Sequence, residues 1–257
     1  MNLLILSFAY LLVVVFPVVF WFWFFRGKDR DEPEPKRLLL KTFLFGIVIS
    51  LVAGIVEIAV EGAAFPGLPG GADDLFYKEA ADVLSSPPKV VLAFLFSLFL
   101  AGPIEETLKY LGLRAAVYRK EAFNQILDGI IYGVSVALGF SFAENSFYFF
   151  DIFREYSYSA DFFSIVFARG VLATFLHITA AGIVGLYLGR AKFASTGKRI
   201  LILKGLFIAS FVHGAYNVMA LFPYGAIIDA VLVILLLIFL LHRMKKTDAR
   251  MVWRRVA

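Results

Sequence analysis

From Leu3 to Phe25 the chain carries no charged side chain, and comparably apolar runs recur almost to its end. A bilayer's hydrocarbon core takes about 20 apolar residues of helix to cross. Within it every backbone N–H and C=O must be paired inside the protein, which a helix achieves by itself. With 61% hydrophobic residues over 257 positions, the chain is excluded from the water-soluble globular classes. It is expected to be all-α, a polytopic transmembrane helix bundle of about seven spans forming one integral membrane domain over residues 1–257. The net charge of +5 sits mostly in loops and tail. There it reads as a topology signal, with the lipid bilayer as partner and no nucleic acid. The absence of cysteine excludes disulfides, thiolate metal sites and a cysteine nucleophile.

The spans are expected at about Leu3–Phe25, Leu38–Val60, Val90–Leu113, Asn124–Phe150, Phe163–Leu188, Ile200–Phe222 and Ala226–Leu241. The first lacks a basic n-region and a small-residue cleavage site, so it reads as a retained span. Glycines 129, 133 and 139 in the fourth permit close helix contact. Between the second and third spans, a Gly/Pro-rich stretch leads into DDLFYKEAADVL. That stretch predicts an amphipathic surface helix, capped by Asp73 or Asp74 and stopped by Ser85-Ser86-Pro87-Pro88. Residues 62–88 thus form an extracytoplasmic loop, placed where an outer gate would be. Lys and Arg concentrate in the loops after spans one, three and five and in the tail. This puts the N-terminus outside and the C-terminus in the cytoplasm.

The third span contains AGPIEETLK, residues 101–109. Two adjacent carboxylates at bilayer depth need partners or a task. Pro103 lacks an N–H and restricts Gly102 before it. The expectation is a break at Gly102-Pro103 and a new half-helix whose positive end favours Glu105 and Glu106. Lys109 follows Glu105 by four and Glu106 by three residues, within reach of either. A purely structural ion cluster is the competing reading.

At about 1.5 Å of rise per residue, Glu105 and Glu106 lie on the order of 10 Å inside the cytoplasmic boundary, with His177 and His213 near mid-membrane. His213 and Asn217 share a helix face. Glu144 and Asn145 fall nearer the outer side, where Arg169 can pair with Glu144. Asp128 reads as a structural contact of the cytoplasmic turn. Taken singly, His177 reads as a packing histidine and HxxxN is a weak pattern. Taken together, Glu, His and Asn from four spans are what a general-base or metal-assisted hydrolase requires. Buried Glu/His chains also serve proton-coupled transporters, and a non-catalytic membrane scaffold is a third possibility.

GPIEETLK, DGIIYGVSVALGFSFAEN, the His177 span and HGAYN resemble, in that order, the motifs of the PrsW family of intramembrane proteases. The motif core lies within about residues 90–222. The pattern is also similar to CAAX prenyl endopeptidases and bacteriocin-immunity-type membrane proteins, with EExxxR, FxxxH and HxxxN/D. Here Lys109 stands one position earlier than that Arg, and Glu144 replaces the His of FxxxH. The resemblance implies an intramembrane metalloprotease of a prokaryotic plasma membrane. Its substrate would be a single-span membrane protein or membrane-associated peptide, as in the first cut of an anti-sigma factor. It implies Glu105 and Glu106 as the glutamate pair and His177 as essential, with His213 and Asn217 completing the catalytic set and Lys109, Glu144 and Asn145 supporting it. A zinc ion would be held by His177, His213 and one of Glu106 or Glu144. A metal-free mechanism would activate water with a glutamate and His177.

Overall fold

A computed structural model of the protein describes residues 2–29, 32–64, 86–222 and 224–256, the side chains of residues 2 and 247–256 excepted. These residues form helices joined by short turns. Helices α1 (Asn2–Tyr10) and α2 (Phe16–Arg26) are joined by a π turn at Leu11–Val15. Helix α3 (Lys36–Ala64) follows. Helices α4 (Pro87–Phe96) and α5 (Gly102–Val117) are joined by a second π turn at Ser97–Ala101. Helices α6 (Ile126–Tyr156), α7 (Ala160–Phe193), α8 (Lys198–Met219) and α9 (Gly225–Val256) complete the order. Among the described residues, seven helical stretches are long and apolar enough to cross a membrane, as expected. Several outrun the apolar windows, Pro87–Val117 and Ala160–Phe193 among them, because helix propagation does not stop where hydrocarbon does. The amphipathic helix expected after Asp73 lies outside the described residues.

The helix break expected at Gly102-Pro103 takes the form of a π turn just before it, at Ser97–Ala101. Ala101 (φ −56°, ψ −58°) and Gly102 (φ −55°, ψ −50°) both keep right-handed helical dihedrals. Proline cannot donate to the carbonyl four residues back, and its ring crowds that carbonyl. A widened turn absorbs both defects while the helix continues. The first span uses the same device, with Pro17 following the turn at Leu11–Val15. In consequence α5 has no free N-terminus, and the dipole end expected near Glu105 is not there.

Helices α6 and α7 form the centre, with 89% and 83% of their apolar windows buried, against 17–28% in the other spans. In lipid there is little hydrophobic drive between helices, so close van der Waals approach decides which ones pair. A Cβ at Gly185 would sit 1.9 Å from the Gly129 carbonyl oxygen, so these two backbones touch only because both residues are glycine. The outer helices carry exposed apolar side chains such as Leu3, Phe99 and Phe207, suited to lipid.

One end of the bundle gathers the basic connectors. Lys192 Nζ donates to the Tyr118 carbonyl at 2.8 Å, and Gln125 Nε2 donates to Glu32 Oε2 at 2.7 Å. Helix α6 starts there with a capping box, in which Asp128 Oδ2 accepts from the N–H groups of Asn124 (2.7 Å) and Gln125 (2.6 Å). This is the turn contact expected of Asp128. Glu34 folds back over the same start, accepts from the Tyr132 hydroxyl and is buried. Burial pushes its carboxyl up to about 9, with the Tyr132 hydrogen bond opposing and neighbouring Asp128 reinforcing.

Candidate active site

Three helices deliver the polar centre. Helix α5 carries Glu105, Glu106 and Lys109 along one stripe, spaced so that they meet. Helix α7 brings His177 and α8 brings His213. The α5 and α8 backbones are held together at two glycines. A Cβ at Gly102 would lie 2.6 Å from the Ser210 carbonyl oxygen, and one at Gly214 would lie 2.6 Å from that of Ser97. That contact sets His213 against the glutamates.

Glu105, Glu106, His177 and His213 are all buried, and one ligand atom from each falls within 4.8 Å of the others. Lys109 lies among them. Its Nζ donates to Glu105 Oε2 at 3.0 Å and Glu106 Oε1 at 2.8 Å, and lies 2.9 Å from His177 Nδ1. It also sits 3.9 Å above the Phe140 ring. The ammonium has protons to give and no lone pair, so His177 Nδ1 accepts and its proton resides on Nε2. Nε2 in turn faces Glu144 Oε2 at 2.6 Å. Arg169 donates to Glu144 Oε1 at 2.8 Å and stacks 3.3 Å over the Tyr148 ring. The pairing of Arg169 with Glu144 was expected. Glu144 meets the outer nitrogen of His177, and the four-residue group contains Glu105 where sequence reading offered Glu144.

His213 Nδ1 is 2.9 Å from Glu106 Oε1, which can only accept as a carboxylate, so the imidazole proton is on Nδ1. Its Nε2 lies 3.6 Å from Glu105 Oε1. The two rings meet edge to face at 5.2 Å.

A cavity of about 370 Å³ opens beside this centre. Glu105, Glu144, Asn217 and Tyr216 line it. Glu106, fully buried at 0% exposure, does not. Asn217 therefore shares a space with Glu105, one turn beyond His213. Asn145, expected in a supporting role, packs between α6 and α7. Its NH₂ is taken by Ser141 Oγ (3.0 Å) and Thr174 Oγ1 (3.1 Å), a polar tie between α6 and α7. Glu57, at the far end of α3, and Asp229, on α9, also line the cavity. Spacing alone does not connect them to the site. The available signal was that Asp229 is the sole charge in the run from Ala226 to Leu241.

The donor set fits a divalent metal by its chemistry. His177 Nδ1, now held by Lys109, lies 3.9 Å from Glu105 Oε2, and His213 Nε2 lies 3.6 Å from Glu105 Oε1. Glu106 Oε2 is buried with no hydrogen-bond partner. Two imidazoles and a carboxylate form a familiar zinc ligand set, and a carboxylate on the outer nitrogen of a ligating histidine is its usual support.

A family model described as PrsW family intramembrane metalloprotease matches residues 34–242, which include every residue of this site. The chain is 34% identical over 126 residues to Protease PrsW of Bacillus subtilis (strain 168), covering 49% of the chain and 54% of that protein. It is 33% identical over 121 residues to Protease PrsW of Shouchella clausii (strain KSM-K16), covering 47% and 52%. To Protease PrsW of Clostridioides difficile (strain 630) it is 30% identical over 130 residues, covering 50% and 52%. The chain thus spans about half the length of these curated relatives. No solved structure matches it.

Proposed function

The chain belongs to the PrsW family of intramembrane metalloproteases, and on that footing we propose that it is an endopeptidase hydrolysing peptide bonds of membrane-anchored proteins within the bilayer. The observation that carries this reading is the convergence of Glu105, Glu106, His177 and His213 beside a cavity that Glu105 lines. The substrate we assign is a single-span protein, of the anti-sigma-factor kind that the resemblance implies. Its helix must unwind locally, since a helical backbone keeps its amides paired.

Glu105 is the general base. It alone of the glutamate pair faces the cavity, and Lys109 holds its Oε2, leaving Oε1 to take the proton of an attacking water. Glu106, held by Lys109 and His213, fixes the imidazole. Asn217 offers its amide N–H to the developing oxyanion from the cavity wall. His177, His213 and Glu106 would hold the metal, with Glu144 and Arg169 orienting His177. A zinc ion bound there would polarise the scissile carbonyl and acidify a water. Basic connectors meeting at one end of the bundle support a cytoplasmic placement for that end, with the N-terminus outside.

The test joins elemental analysis of purified protein to cleavage of a panel of single-span substrates. About one zinc per chain is expected. Glu105→Gln should keep the metal and lose about 10²- to 10⁴-fold in rate. His177→Ala should lose metal and cleavage together. Wild-type rates in both Glu105→Gln and Glu106→Gln would overturn the reading.

A further inference from the structure

The cavity is as informative in its outer lining as at its inner end. Its described lining carries six carboxylates, from Glu57, Glu105, Glu144, Asp151, Glu155 and Asp229, and a single cationic side chain, Arg169. Arg169 is committed to Glu144 at 2.8 Å, and Glu105 is committed to Lys109 at 3.0 Å. Asp151 is bridged to Arg154 at the exposed rim. Taken as a whole, the described lining is net negative.

Asp229 differs from the rest. It is 1% exposed, sits on the first turns of α9 within an aliphatic run, and its Oδ1 has no hydrogen-bond partner. An ionisable group kept at such a position without a partner is there for something that arrives. It borders the same space as Tyr216 and Asn217, immediately beyond His213. A volume of about 370 Å³ takes a few side chains of an extended strand and excludes an intact helix.

We propose that this cavity is the substrate cleft and that Asp229 is its specificity residue, accepting a Lys or Arg side chain close to the scissile bond. The proposal rests on the protease reading for its consequence and on the cleft alone for its binding preference. A charge-assisted hydrogen bond completed in a dry pocket favours the cationic segment, while an acidic segment meets like charge.

The test uses labelled peptides with a 20-residue apolar helix and an extended polar segment scanned with a single Lys, Gln or Glu. Binding is measured on the Glu106→Gln protein in nanodiscs, and cleavage on the wild type. At the best position, Lys should bind about 10- to 100-fold tighter than Glu. Adding Asp229→Asn should collapse that ratio toward one, and Asp229→Arg should invert it. The ratio is internal to each variant, so a general loss of folding does not imitate it. Equal binding of Lys and Glu peptides, or a ratio unmoved by Asp229→Asn, overturns the proposal. Charge-selective binding without cleavage of any peptide upholds the cleft and removes the protease reading. Cleavage without charge preference does the reverse.

Discussion

Replacing Lys109 by Met removes one ammonium from a site that is otherwise acidic. The side chain is 1% exposed and its Nζ meets two carboxylates and an imidazole at 2.8–3.0 Å. Methionine fills the volume and supplies no donor, leaving Glu105 and Glu106 facing each other. Removing one partner of a buried pair costs about 3–5 kcal/mol, because the other charge stays buried. At about 2–4 °C per kcal/mol for a chain near this length, Tm in the presence of a chelator should fall by roughly 6–20 °C. The ammonium also occupies the place from which a cation would reach Glu105, Glu106 and His177 Nδ1. Added zinc should therefore restore more stability to Lys109→Met than it adds to the wild type. The assay is thermal unfolding in detergent at neutral pH, with chelator and then with a zinc titration. A chelated Lys109→Met protein that unfolds within about 1 kcal/mol of wild type would refute the buried-pair reasoning. A loss that zinc does not reduce would refute the shared seat.

Three further outcomes follow from particular contacts. Glu144→Gln removes the carboxylate at 2.6 Å from His177 Nε2 and should weaken zinc binding about 10- to 100-fold in a competition titration. Gly214→Ala places a Cβ 2.6 Å from the Ser97 carbonyl oxygen and 2.7 Å from Leu98 Cα, both backbone atoms. Helix α8 must then back away, which should cost about 1–3 kcal/mol on unfolding and lower zinc affinity as His213 moves. Glu34, with its carboxyl raised from 4.5 to about 9, makes stability fall with rising pH. Below 4.5 both states hold the proton; between 4.5 and 9 only the folded state does, so each step upward favours unfolding, and above 9 the loss levels off. Tm measured from pH 5 to 9 should decline in the wild type and flatten in Glu34→Gln.

The seven spans were legible because hydrocarbon leaves an apolar helix few alternatives, and the glutamate pair was legible because carboxylates are scarce there. His177 and His213 could be joined to them by depth alone. Other features depended on information a linear pattern does not hold. A proline after glycine reads as a break, yet a single π turn at Ser97–Ala101 relieves the clash and lets the helix run on. Glu144 matched the position of a ligand in the motif, but which face of His177 it meets is fixed by the α6–α7 packing. Asn145, its neighbour, turns to Ser141 and Thr174 instead. Glu34 lay in a charged connector, and its burial depends on Tyr132, 98 residues away. Asp229 lay near a span's start, where a carboxylate ordinarily reaches water, and only the cavity gives it an address.

Counting charge within the centre leads back to the metal. Glu105, Glu106 and Glu144 face Lys109 and Arg169, so the network carries one uncompensated negative charge when both imidazoles are neutral. The Lys109 ammonium, which can only donate, holds His177 Nδ1 as an acceptor. An uncompensated charge in a low-dielectric interior is costly, and a protein that keeps one is arranged for a counterion. A single proton elsewhere in the network would cancel it and leave Glu106 Oε2 without a partner. A divalent cation would use Glu106 Oε2, would take over His177 Nδ1 from Lys109, and would reverse the sign of the network from −1 to +1. A net positive centre is the sign that stabilises an oxyanion on a scissile carbonyl. The unpartnered Glu106 Oε2 and the charge count are independent observations, one geometric and one electrostatic. Both support the metal-dependent form of the mechanism proposed above.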